Sequence, residues 1–315
     1  MARRKRKYRK ELILIISIII FIYSIFFDNG NYEFIEEILG KYIQISMQEN
    51  ENIEVKPVNF TDNLYIYFID VGQADSILIH NKNTNALIDA GNNEDGKLLV
   101  NYIKGMGINK INYVFGTHAH EDHIGGLDDI IDNFEIENFY MPDQVITTAT
   151  FEDILTSLEN KQLAFQTPKI GDKYNIGDGI LEILNISNNE SDINDTSIVI
   201  KLIYGNISVM LMGDASKKVE SKLLNKNIKS NVLKLGHHGA STSTSTEFLK
   251  KVNPKYAIIS VGTNNIYNHP TQTILNRLNN QNITIYRTDK NGTIKLISDG
   301  NTINFEFEKT NTNGG

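Results

Sequence analysis

The chain has 315 residues, 40% of them apolar, enough to bury a substantial core and to form one large domain with accessories. With no cysteine it has no disulfide framework, and any metal site must be built from histidines and carboxylates. Of its 31 Lys and Arg, 7 lie in residues 1–10; the remaining 24 face 38 Asp and Glu, a balance of −14 over residues 11–315 that excludes a bulk polycation.

Arg3, Arg4, Lys5, Arg6, Lys7, Arg9 and Lys10 make residues 1–10 a basic tip. Leu12 to Phe27 then runs apolar, broken only by Ser17, Tyr23 and Ser24. At about 1.5 Å per residue this run covers about 24 Å of a hydrocarbon core roughly 30 Å thick, a gap that flanking side chains or local thinning closes. The run ends in Ser24-Ile-Phe-Phe-Asp28, without the small residues of a cleavage site. We therefore read 11–27 as an uncleaved transmembrane signal anchor, with a removed secretory signal as the alternative. Positive charge stays inside, so the expected protein is a single-pass cell-membrane protein whose remainder is extracytoplasmic. Residues 28–62, polar and acidic with a short helix at 32–45, are expected to form a stalk. The main folded domain is expected over 63–310, and 311–315 as a disordered tail.

From Leu64 onward short β runs alternate with turn signals. Strands are predicted at 64–71, 75–80, 86–90, 113–117, 180–186, 197–204, 207–212, 232–235, 256–261, 283–287 and 293–298. Apolar spacing and flanking caps predict helices at 96–106, 126–133, 151–160, 215–224, 246–252 and 271–280. Strands clustered in two halves with helices between them imply two packed sheets covered by helices. Thr244 and Glu247 have the spacing of a helix-capping box.

The chemistry concentrates in Thr117-His-Ala-His-Glu-Asp-His-Ile-Gly-Gly126. His118 and His120 are two apart, so in an extended segment both imidazoles point to one side, while Asp122 and His123 follow at the bend into a helix. One short loop can thus hold two metal ions side by side. Asp214 sits at the C-terminal end of the strand predicted over 207–212, with Gly213 leaving the backbone uncrowded. His237 and His238 end another strand; adjacent side chains of an extended segment point opposite ways, which favours His237 as a metal ligand and leaves His238 for a substrate phosphate or a supporting contact. His269, held extended by Pro270, is a candidate ligand or a proton donor to a leaving oxygen. Six of the seven histidines thus fall in three loops that follow strands, whereas His80 has no companion motif. Hard metal ions in such a site lower the pKa of water and take up charge on an oxyanion, which is hydrolytic chemistry.

These segments resemble the metallo-β-lactamase fold superfamily and, within it, the hydrolase domain of ComEC-type DNA-uptake competence proteins. The resemblance is carried by Phe68-Ile-Asp-Val-Gly-Gln-Ala-Asp-Ser76, Leu87-Ile-Asp-Ala-Gly91, the 117–126 motif, Leu211-Met-Gly-Asp214, Leu233–Gly239, Tyr256–Gly262 with Asn268-His-Pro270, and Tyr286-Arg-Thr-Asp289. It implies an α/β fold, the αββα sandwich, with metals at one edge. It also implies that His118 and His120 hold a first metal, that Asp122 and His123 hold a second, that Asp214 bridges them and that His237 completes the second site. The superfamily's usual third histidine for the first metal is missing, since 124–213 contains no His; Asn194-Asp-Thr-Ser197 stands there in the competence-type manner, and Asp195 is the substitute ligand. A carboxylate in place of an imidazole hardens the site and moves its preference from Zn²⁺ toward Mn²⁺ or Mg²⁺. Ala74 and Asn268 replace glycines common in the family; Asn is the next-best residue for a positive φ.

The reading that follows is a membrane-anchored, extracytoplasmic phosphodiesterase or nuclease, using two divalent metal ions and acting on DNA. Asp122 would orient the attacking oxygen, and His238 or His269 would aid the departing one. With an acidic domain, DNA must be held by the metals and a local patch. The chain lacks the apolar spans of a channel, so a role in uptake requires a partner DNA-uptake channel. The competing readings are a hydrolase of a small lactam, lactone or thioester on the same fold and a non-catalytic DNA-holding module. Oligomeric state is not set by these features.

Overall fold

The computed structural model describes residues 57–309, apart from Val145 and Asn189. The basic tip, the anchor expected at 11–27, most of the stalk and the tail lie outside the described residues. Among the described residues, no helix is long and apolar enough to cross a membrane. Of the residues read as the end of the stalk, Phe60 stacks its ring 3.7 Å from that of His80, and Thr61 Oγ1 lies 2.8 Å from the Tyr65 hydroxyl. His80 is buried, its Nδ1 2.7 Å from Asn85 Oδ1, and so belongs to the packing rather than to the chemistry.

Fifteen strands form two sheets among the described residues. The first has the order β15 (Ile303–Phe307), β14 (Ile294–Ser298), β1 (Leu64–Phe68), β2 (Ser76–Asn81), β3 (Thr84–Ala90), β4 (Lys110–Phe115), β5 (Glu135–Tyr140), β6 (Phe165–Gln166). The second has the order β13 (Thr284–Arg287), β12 (Tyr256–Ile259), β11 (Val232–Lys234), β10 (Ile207–Leu211), β9 (Val199–Tyr204), β8 (Gly179–Asn185), β7 (Lys173–Ile176). In the first sheet β3 to β6 run parallel, and in the second so do β10 to β13; the rest of each sheet is antiparallel. Parallel neighbours need crossovers, and helices supply them. They are α1 (Gly96–Gly105), the single turn α2 (Glu121–Ile124), α3 (Leu127–Asn133) and α4 (Ala149–Asn160) in the first half, and α5 (Lys217–Leu223), α6 (Thr246–Val252) and α7 (Gln272–Asn279) in the second. A last turn, α8 (Thr288–Asn291), follows β13.

Strand β10 shows how the layers are built. Val209 and Leu211 face the core between the sheets, beside Ile66, Phe68, Ile200 and Leu202. Met210 and Met212 face the other way, onto Val219 and Leu223 of α5, Phe248 and Leu249 of α6 and Leu278 of α7. Because successive side chains alternate faces, a strand buried on both sides reads as an unbroken apolar run. In the first half, α3 lies against β3 between α1 and α4. The order helix, sheet, sheet, helix is the expected αββα sandwich.

Four strands escaped the sequence reading: β5, β6, β7 and β15. The sequence of β15, Ile-Asn-Phe-Glu-Phe, is nowhere fully buried because the strand lies at a sheet edge, and Glu-Ile-Glu-Asn in β5 is exposed or half-exposed. The strand predicted over 64–71 ends at Phe68, and the chain then turns so that Ile69 N donates to Ser76 O. The cap of α6 also differs. Ser245 rather than Thr244 is the N-cap, its Oγ accepting from Phe248 N at 3.3 Å. Thr244 is left-handed at φ 53°, and its N–H, with that of Ser245, donates to the buried Glu220 carboxylate on α5.

Candidate metal centre

The site lies where strands of both sheets end, the edge at which open α/β sheets bind ligands. Asp75 lies in the β1–β2 turn, Asp89 near the end of β3, His118 to His123 beyond β4, Asp214 after β10, His237 and His238 after β11, and His269 beyond β12. Two glycines seat the histidine loop. A Cβ on Gly125 would lie 2.2 Å from the backbone of Asn92 and Asn93, and one on Gly126 would lie 2.5 Å from Ala90 O. Gly125 N donates to Gly91 O at 2.8 Å, so the helical turn carrying Asp122 and His123 packs directly on the segment that carries Asp89. Gly125→Ala is therefore expected to cost about 3 kcal/mol of stability through overpacking. An unchanged urea midpoint would contradict this close seating.

Asp89 is the hub of the buried side. Its Oδ1 accepts from Thr117 N at 2.7 Å, and its Oδ2 accepts from Thr117 Oγ1 at 2.8 Å and lies 2.7 Å from His123 Nδ1. Taking the Nδ1 proton, Asp89 fixes the His123 ring so that Nε2 faces the centre, a carboxylate–imidazole arrangement typical of metal ligands. Nε2 is buried with no hydrogen-bond partner, 3.2 Å from Asp214 Oδ1 and 4.0 Å from Asp122 Oδ2. His238 Nε2 lies 3.2 Å from Asp122 Oδ2 and 3.8 Å from Asp214 Oδ2. One donor atom from each of Asp122, His123, Asp214 and His238 falls within 4.8 Å of all the others. An orphaned buried nitrogen amid two carboxylates and a second imidazole is a donor set that suits a divalent cation.

The electrostatics agree. Burial opposes charge on His123, but Asp214 and Asp89 outweigh it and hold the imidazole's pKa well above its ordinary value. Burial likewise opposes charge on Asp214 and Asp122. For Asp214 the charges of His123 and His238 prevail, and for Asp122 the hydrogen bond with His238 and the same charges do, so both carboxyls lie well below the ordinary range. His118 goes the other way, pushed well down by burial and by His123. The Asp122–Asp214 side thus attracts positive charge, and His118 is kept as a neutral donor.

The other expected ligands are placed as follows. His118 Nε2 and His120 Nδ1 are 3.1 Å apart, but neither joins a set of three donors among the described residues. The adjacent pair after β11 is reversed from the expectation. His238, 1% exposed, enters the donor set, whereas His237 lies further out with Nδ1 3.0 Å from Thr242 Oγ1 and Nε2 3.8 Å from Asp214 Oδ2. The reason is backbone geometry: His237 (φ 52°) and His238 (φ 50°) are both left-handed, so the opposite-sides rule for extended chain does not hold there. Asp195, expected as the substitute ligand, does not join the set either. It sits in the helical turn Ile193–Thr196, and its carboxylate faces α5, with Oδ1 accepting from Ser216 N at 3.3 Å and Oδ2 3.9 Å from Lys218 Nζ. From the same element Ser197 reaches the centre, its Oγ accepting from Asp214 N at 3.1 Å. His269 lies outside the set, its ring 5.8 Å from that of His237 and its Nδ1 buried without a partner.

Besides Asp89, two further supporting groups went unread in the sequence. Lys234 is fully buried, its Nζ donating to Asp75 Oδ2 at 2.8 Å and to Leu235 O at 3.1 Å. Asp75 Oδ1 in turn lies 3.5 Å from His238 Nδ1, which is itself 3.0 Å from Ser260 O. The signal was a lysine inside the apolar strand Val-Leu-Lys, where a charge persists only with a partner.

A helix-flanked double sheet with imidazole and carboxylate donors on the loops of one edge defines a metal-binding architecture. The family model of the metallo-beta-lactamase superfamily matches residues 69–263, and the chain belongs to that superfamily, whose members are metal-dependent hydrolases. Among named relatives, it is 32% identical over 248 residues to ComE operon protein 3 of Bacillus subtilis (strain 168), covering 72% of this chain and 32% of that protein. It is 29% identical over 233 residues to competence protein ComA of Neisseria gonorrhoeae, covering 72% of this chain and 31% of the relative. The chain thus spans about a third of the length of these relatives. The metallo-beta-lactamase fold protein YhfI from Bacillus subtilis shares the fold at a TM-score of 0.50 and 12% identity, over 72% of this chain and 96% of that one.

Proposed function

We propose that this chain is a membrane-anchored, extracytoplasmic, metal-dependent phosphodiesterase that acts on DNA. The observation that carries the hydrolytic part is the convergence of Asp122, His123, Asp214 and His238 within 4.8 Å at the sheet edge. DNA as the substrate rests on kinship with competence proteins, and the anchor rests on the apolar run from Leu12 to Phe27 behind its basic tip. In this reading Asp122, His123, Asp214 and His238 would hold one cation, and His118 and His120 would contribute to holding a second. Divalent cations bound there lower the pKa of water and stabilise charge developing on a phosphoryl oxygen.

The chain's own residues do the rest. Asp89 holds the His123 ring by its Nδ1 proton, and the Ser260 carbonyl does the same for His238. Asp122, on the rim of the donor set and about a third exposed, is placed to orient an attacking water. His238 is committed to the donor set by Nε2, which leaves His269 and His237, further out, to meet the departing oxygen. A role in DNA uptake would pair the chain with a separate channel.

The test is cleavage of labelled single- and double-stranded oligonucleotides by the full chain in detergent with Mn²⁺, Zn²⁺ or Mg²⁺, against a panel of lactones and β-lactams. Phosphodiester cleavage that EDTA abolishes is the expected result. Inert DNA with all three ions, alongside turnover of the small-molecule panel, would overturn the assignment.

A further inference from the structure

The loop between β12 and α7 presents the most exposed large apolar side chains among the described residues, Ile266 at 85% and Tyr267 at 60% exposure. It is a built loop. Asn265 Nδ2 donates to Gly262 O at 3.0 Å and to His269 O at 2.7 Å, and its Oδ1 accepts from His269 N at 2.9 Å. Gly262 N donates to Gln73 Oε1 at 3.1 Å, which ties the loop to the β1–β2 turn of the other sheet. Asn264 and Asn268 both take left-handed φ, 54° and 55°, so the backbone turns outward and back and leaves Ile266 and Tyr267 at its tip.

That tip is connected to the metal centre by a row of rings. His237 Nε2 lies 3.8 Å from Asp214 Oδ2, the His269 ring lies 5.8 Å from the His237 ring, and Tyr267 stacks on His269 at 5.8 Å with 25° between planes. A polymer held by a phosphate at the donor set and laid along this row of rings would bring a nearby nucleotide over Tyr267. The outer face of Tyr267 is free, and Ile266 stands beside it. The charge balance beyond the basic tip matters here, since 24 basic residues against 38 acidic ones over residues 11–315 leave little bulk attraction for phosphates. Affinity beyond what bound cations supply must then come from contacts that ignore charge. Stacking of a base on an exposed ring is such a contact, and it tolerates any sequence because every base has a π face. A duplex cannot use it without unstacking a base, which costs free energy that a single strand does not spend.

The geometry points to Tyr267, flanked by Ile266, as a stacking platform for an unpaired nucleobase flanking the scissile phosphate along the strand, making single strands or frayed ends the preferred form of the substrate. This rests on the DNA phosphodiesterase reading for the identity of the polymer, but it is read out by binding and not by cleavage alone. The experiment compares the full chain in detergent with its Tyr267→Ala and Tyr267→Phe variants. Binding of a fluorescent single-stranded oligonucleotide, of an abasic strand of equal length and of a blunt duplex is followed by anisotropy, and cleavage is followed in parallel. Tyr267→Ala is expected to weaken single-strand binding about tenfold and to raise KM to match, with abasic-strand binding unchanged and Tyr267→Phe close to the original. Equal single-strand affinity of the original and Tyr267→Ala overturns the platform, as does an equal loss on the abasic strand or no single-strand binding at all. A shift in sedimentation of Tyr267→Ala with DNA binding intact would assign the patch to a second copy of the chain instead. Single-strand binding that depends on Tyr267 without any cleavage would overturn the phosphodiesterase reading and leave the platform standing.

Discussion

Asp214→Asn is expected to strip the centre of its divalent cation and to lower metal-dependent cleavage about 10³-fold, while leaving the fold intact. The substitution is chosen for what it keeps. Asp214 Oδ1 accepts from His237 N at 3.1 Å, and its own N donates to Ser197 Oγ, bonds that an amide side chain and an unchanged backbone retain. What disappears is the negative charge 3.2 Å from His123 Nε2 and 3.8 Å from His238 Nε2. Because the charges of His123 and His238 outweigh burial at Asp214, losing the anion costs some stability, but the change opens no cavity, so the variant should still fold cooperatively at a somewhat lower unfolding temperature. His120→Ala is the contrast: it leaves all four members of the main set in place, and the loss should be confined to the ion expected on His118 and His120. Metal content by elemental mass spectrometry and cleavage in matched samples decide the matter. Full occupancy with unchanged cleavage in Asp214→Asn would refute the role given to that carboxylate.

How much of this the sequence disclosed follows from how local each cause is. Strand β10 was legible because burial on both faces leaves it uninterruptedly apolar, and α4 because Phe151, Ile154 and Leu158 recur at helical spacing behind the Thr148 cap. Edge strands β7 and β15 were not: each pairs with the preceding or following strand across a short turn, but at a sheet edge its outward residues are polar and no unbroken apolar run marks it. In the site, Asp122, His123 and Asp214 could be named from position alone, on a loop or strand end whose direction the neighbouring apolar run sets. Choosing between His237 and His238 needed a backbone conformation, two consecutive left-handed residues, that no side-chain pattern announces. Asp195 shows the same limit. Its residue type suits a ligand, but the turn over Ile193–Thr196 aims it at α5, and the neighbouring Ser197 touches the centre. Lys234 and Asp75 are 159 residues apart, and only the packing of the two sheets brings them together.

That pair yields the second large effect. Lys234→Met is expected to destabilise the domain by about 3–5 kcal/mol, because deleting one member of a fully buried ion pair leaves the other charge uncompensated. Asp75 cannot turn to water for relief, being 1% exposed; it keeps His238 Nδ1 at 3.5 Å, and Asp89 and His123 lie within 4.8 Å. The stranded carboxylate then competes with the Ser260 carbonyl for that ring nitrogen. If uncompensated charge is the cause, removing the second charge must repair the damage. Lys234→Met combined with Asp75→Leu is expected to recover most of the lost stability, since well-packed apolar residues often replace a buried pair without net cost. Urea unfolding of the two variants and the parent separates the explanations. A single variant within about 1 kcal/mol of the parent would show that the pair is compensated elsewhere, and a double variant less stable than the single one would show that Asp75 serves the fold through something other than Lys234.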